Sequence, residues 1–153
     1  MKKFITSVFA SLAVVSAMLA SHAVAVTPAQ EKAFIDAYKK AYEAKDAKGL
    51  QALLYTKGAD PMALDFYKMV ISADMGATIT SITLVDLTAS DLKKLENSKF
   101  PDGRAMKTTL KPVKKLVLKT RTKTSSQDST GSSESFVAEA DGKLVIPVPA
   151  AGK

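Results

Sequence analysis

The hydrophobic pattern changes period at Gly76, and this switch constrains the fold more than any other feature of the chain. Before it, apolar residues recur at three- and four-residue intervals. After it, stretches rich in Thr, Ile, Leu and Val are separated by turn residues. Helices first and strands afterwards predict an α+β domain, with N-terminal helices packed on a curved antiparallel β-sheet.

In the helical half, Thr27-Pro28-Ala29-Gln30 combines a capping box with a proline at the first helical position. The helix it opens carries Phe34, Tyr38 and Tyr42 four residues apart, so the three rings share one face. Asp46 interrupts this helix, Gly49 bends the chain, and residues 50–55 resume as a shorter helix. Asp60-Pro61 starts a third, through Phe66, Tyr67, Met69, Val70 and Ile71. In the second half, 77–87 reads as a strand, Thr88 to Asp91 caps a short helix, and 100–103 is a turn. Strands are expected at 115–124 and 134–140, followed by an Asp141-Gly142 hairpin turn. The last strand, 143–148, holds Pro147 and precedes Pro149, which limits it to an edge or places the proline among its final residues. Between the two longer strands, 124–135 has six serines in twelve residues and reads as a flexible loop.

Residues 1–25 read as a secretory signal peptide. Lys2 and Lys3 precede an apolar run over 4–19, and Ala23-Val24-Ala25 offers a small-x-small cleavage site. Cleavage after Ala25 leaves 26–153 as a single domain, exported to a bacterial periplasm or secreted, with no integral membrane span. The chain has no cysteine, and its one histidine, His22, lies in the leader. A mature chain without either residue cannot build a Ser-His-Asp or Cys-His unit, nor a thiolate or imidazole metal site. No D-x-D-x-D loop suggests a carboxylate cation site either. No catalytic residue, metal site or cofactor is therefore assigned.

The stretch AYKKAYEAKDAKGLQALLY, residues 37–55, is similar to the opening motif of the nuclear transport factor 2-like superfamily, through Tyr38, Ala41, Asp46, Leu50 and the Leu53-Leu54 pair. The resemblance implies the cone-shaped fold that this superfamily shares with ketosteroid isomerases. In those isomerases a tyrosine eight residues before the matching aspartate donates a hydrogen bond to the enolate oxygen, and Tyr38 stands at that offset from Asp46. The family's carboxylate base lies in an Asp-Pro pair. Asp60-Pro61 looks similar but comes about three residues early, in a capping position, and the second oxyanion donor has no counterpart. Only 56–59 separates the second and third helices, where the family usually places a strand pair. That gap fits a trimmed member, or another α+β fold such as a cystatin-like one.

Two surfaces stand out. Phe34, Tyr38 and Tyr42, with Asp60, would line a small-ligand pocket or, more simply, fill the core. Basic residues concentrate in 93–123, which holds eleven Lys and Arg against two acidic residues. Strand alternation there sends Lys119, Arg121 and Lys123 to one face. This ridge would meet an anionic partner, or keep an exposed sheet face or edge soluble. Nucleic acid is not expected, because the ridge lacks interleaved aromatics. The favoured expectation is a non-catalytic binding or accessory domain for a small molecule or an envelope protein, with self-association into a homodimer also open. The alternatives are a small isomerase or dehydratase using Tyr38 with a carboxylate, and an envelope-associated protein that binds anionic surfaces through 93–123.

Overall fold

The computed structural model describes residues 25–73 and 75–152, so the expected leader lies, apart from Ala25, outside the described residues. Helix α1 spans Pro28–Glu43 and begins as the capping box requires: Gln30 N donates to Thr27 Oγ1, and Thr27 N to Gln30 Oε1. Its buried face is Phe34, Tyr38, Ala41 and Tyr42. The chain reverses at Lys45, whose φ is 54°.

Helix α2, Ala47–Gln51, is capped by Asp46, whose Oδ1 accepts from Gly49 N at 3.0 Å. Gly49 is thus inside a helix and not at a bend. A Cβ there would come within 2.5 Å of Asp46 Oδ2, so glycine is what lets the capping carboxylate close in. The helix expected over 50–55 also stops early, because Leu54–Tyr55 form a short strand, β1. Ile146 N donates to Leu53 O at 2.8 Å and Val148 N to Tyr55 O at 3.0 Å. One more helical turn has little stability of its own, and a ladder to a distant strand outcompetes it.

Helix α3 spans Pro61–Ala73. Asp60 caps it, with Oδ1 accepting from Met62 N at 3.0 Å and from Ala63 N at 3.2 Å. Strand β2 (Thr78–Val85) and helix α4 (Ala89–Glu96) follow, then β3 (Met106–Lys107), β4 (Pro112–Lys123), β5 (Asp128–Ala140), β6 (Lys143–Pro147) and β7 (Ala150–Ala151). The main sheet has the order β1-β6-β5-β4-β2, and β3 pairs with β7 separately. It is a mixed sheet and not the antiparallel one expected, since β1 runs parallel to β6. It is not closed into a barrel: β1 and β2 are its two ends.

The serine-rich segment is the largest departure from expectation. Residues 128–135 lie in β5, paired antiparallel with 116–123 of β4, and only 124–127 turns between them. Composition alone misleads here because the long, β-branched-rich β4 supplies a complete ladder for whatever sequence lies opposite it. The Asp141-Gly142 turn is as expected, with φ of 51° and 78°, the two positive values of a type I′ hairpin. Strand β6 is interior, between β1 and β5, and Pro147 is its last residue.

Helix α1 lies across the sheet, and Tyr42, Leu50, Leu116, Leu118, Val137 and Val148 belong to one buried cluster. Helix α4 is tied to β4 by a buried ion pair: Lys115 Nζ sits 3.0 Å from Asp91 Oδ1. Asp91 Oδ2 accepts from Thr88 N at 2.9 Å and Thr88 Oγ1 at 2.7 Å. Those Thr88 bonds, followed by the Lys115 ammonium, hold the Asp91 carboxyl well below the usual carboxylate range.

Candidate functional site

A cleft of about 270 Å³ opens between α3 and the exposed half of β5. Its cause is readable residue by residue. On β5 the positions paired with Leu116, Leu118 and Thr120 of β4 are Ser135, Ser133 and Gly131. Residues directly opposite in a sheet share a face, so β5 presents small groups on the side where β4 presents buried ones. The space that larger side chains would fill is left open. Gly131 is small for a local reason: a Cβ there would lie 2.9 Å from Thr120 Oγ1.

Five aromatic rings line this cleft, one of them Phe136 of β5. Tyr38 and Tyr42 come from α1, stacked with centroids 6.3 Å apart, and Phe66 and Tyr67 come from α3, edge to face at 6.3 Å. Burial pushes the Tyr67 hydroxyl pKa above its ordinary value, so it stays protonated and can donate. Phe34, tilted against Tyr38 at 6.4 Å, belongs to the core and is not part of the cleft lining. The stripe of α1 thus divides, its first ring packing the core and the next two also facing the opening. Phe66 and Tyr67 were legible as members of α3 but not as site residues, because their position depends on where β5 passes.

Asp60 does not join Tyr38 and Tyr42. Its carboxylate caps α3 and meets Arg104 NH1 at 3.0 Å. Arg104 Nε also reaches Asp102 at 2.7 Å, and the guanidinium lies over the Phe100 ring, 5.0 Å from its centroid. The Arg104 hydrogen bond, opposed in part by burial, depresses the Asp60 pKa. Asp60 and Asp91 are the buried carboxylates among the described residues, and both are engaged away from the cleft. The carboxylate that does border it, Glu134, is exposed and sits 3.4 Å from Lys115. Neither Asp60 nor Asp91 is among the residues that line the cleft beside Tyr38. Among the described residues no group of three or more His, Cys, Asp or Glu comes together to hold a metal.

The basic ridge forms as alternation implies, with Lys119, Arg121 and Lys123 exposed while Leu118 and Thr120 are buried. Arg121 is ion-paired with Asp128 across the hairpin, its Nε 2.8 Å from Asp128 Oδ1, which leaves Lys119 and Lys123 as the members of the ridge without an ion pair among the described residues. The ridge is not an edge guard: β4 lies between β5 and β2. Asp86, a sheet-end carboxylate, is taken by Lys114 at 2.8 Å. Among the described residues no helix is long and apolar enough to cross a membrane. No family model, curated protein or solved structure matches this chain.

Proposed function

We propose that this chain is an exported, non-catalytic binding domain, a divergent nuclear transport factor 2-like cone, whose ligand site is the aromatic cleft between α3 and β5. The observation that carries the reading is a cleft lined by Tyr38, Tyr42, Phe66, Tyr67 and Phe136 together with Ser133 and Ser135, while the buried carboxylates among the described residues, Asp60 and Asp91, are engaged elsewhere. Pockets for drug-sized ligands typically span about 300–1,000 Å³, so this one suits a small aromatic or branched aliphatic group. Its serine hydroxyls supply a few orienting hydrogen bonds. The membership proposal is supported by the motif over 37–55 and by the order of three helices ahead of the main strands. The isomerase alternative is weakened by the engagement of Asp60 with Arg104.

A fluorescence titration with 8-anilinonaphthalene-1-sulfonate at neutral pH tests the reading. Wild type should give saturable enhancement. Ser133→Leu, which fills the cleft from β5, should abolish it while keeping a cooperative melt. Equal binding by both proteins, or none by wild type, overturns the assignment.

A further inference from the structure

Strand β5 has one edge paired along its length and another that is mostly free. Its β6 side is paired only at Ala138, Glu139 and Ala140, and residues 128–137 have no strand partner there among the described residues. Free edges normally carry a guard against joining other sheets: lysine, proline or a bulge. This one has none. Residues 128–137 contain no Lys, Arg or Pro, and their pairing with β4 runs without a register shift. The opposite end of the sheet contrasts, since β2 carries an irregularity between Ile79 and Ser81.

Beside this free edge lies an uncovered apolar surface. Met62, Phe66, Met69 and Val70 of α3 are 49%, 55%, 62% and 48% exposed, at the spacing of one helical face. Phe66 and Val70 border the same cleft as Ser133 and Ser135, so the helix face and the strand edge adjoin. A helix apolar on nearly every side is ordinarily buried on nearly every side. A ladder and an apolar stripe side by side match a partner that brings both.

We propose that the partner is a second copy of this chain, joined by two-fold antiparallel pairing of the two β5 edges. Electrostatics permits self-pairing in a register that keeps the acidic residues apart. Asp128 is matched inside its own chain by Arg121, whereas Glu134 shares Lys115 with Asp91 and keeps part of its charge. With Ser132 opposite its own copy, Glu134 faces Thr130 and no two acidic residues are opposed. An axis normal to the sheet also puts both α3 stripes on one side of the joined sheet, which satisfies the self-complementarity a two-fold interface needs. The inference stands whether or not the cleft holds a ligand.

The register makes a charge-specific test available. Thr130→Glu places two like-charge pairs across the axis and should weaken the dimer on the order of tenfold. Thr130→Lys places two opposite-charge pairs there and should keep or tighten it. Sedimentation velocity on both variants and wild type reads the outcome, with far-UV circular dichroism checking the fold. Phe66→Ser on α3 should also weaken the dimer, and exchange of the 128–137 amides in wild type should slow as concentration rises. A wild type that stays monomeric throughout the micromolar range overturns the proposal. So does a dimer indifferent to both charges, equal weakening by Glu and Lys, or a heterologous chain that occupies the edge of a protein otherwise monomeric.

Discussion

Helices α1 and α3 carry apolar residues at the same three- and four-residue spacing, but only α1 has its aromatic stripe fully covered. Phe34, Tyr38 and Tyr42 are buried between α1 and the sheet. On α3, Ala63 and Ile71 are buried, while Met62, Phe66, Met69 and Val70 face outward. The difference lies in what stands opposite. The stripe of α1 belongs to one buried cluster with Leu118, Val137 and Ile146 of the sheet, and beside α3 the facing half of β5 offers glycine and serine. A stripe is buried when its neighbour has matching apolar bulk, and periodicity in one element reports nothing about the neighbour.

Truncation measures the comparison most directly. Tyr42→Ala on α1 should destabilise the fold by about 3–5 kcal/mol in urea denaturation, because it removes a buried ring and leaves a cavity. A loss of under about 1 kcal/mol would mean that α1 is not the covered helix described here. Within α3 the same contrast should appear about one and a half turns apart. Ile71→Ala, on the buried face, should cost about 2–4 kcal/mol. Measured at concentrations where the chain is monomeric, Phe66→Ala should fall within about 0.5 kcal/mol of wild type.

A hydroxyl deletion is gentler. Tyr38→Phe keeps the ring and should cost about 1 kcal/mol or less. A larger loss would show that the Tyr38 oxygen, and not its ring, anchors α1. The last effect, present at neutral pH and fading in acid, concerns how α3 is held at its start. Asp60 has a depressed pKa in the fold, so its contribution is full above the ordinary value of 3.8 and is lost as pH falls below it. Asp60→Asn retains a capping oxygen but loses the charge facing Arg104. Its melting temperature should therefore fall less steeply than that of wild type as pH drops below 3.8. Parallel slopes would remove Asp60 from the acid response.

The sequence by itself determined the features whose causes are local. The Thr27 and Thr88 capping boxes, the Asp60 cap and the Asp141-Gly142 turn all lie where short-range hydrogen bonding and backbone freedom put them. The shared face of Phe34, Tyr38 and Tyr42 follows in the same way from helical spacing, whereas its burial depends on the sheet opposite. Tertiary structure alone decided the features that need a partner far along the chain. Leu54 and Tyr55 are strand because Ile146 and Pro147 arrive beside them, and the serine-rich segment is strand because β4 supplies its ladder. Asp60 leaves the aromatic site because Arg104, distant in sequence, reaches it. The cleft exists only where α3 meets the small side chains of β5, a juxtaposition no window of neighbouring residues contains. Local hydrogen bonds and rotational preferences act over a few residues and can be read from them, whereas a ladder or a void is a property of two segments and is settled only when the chain brings them together.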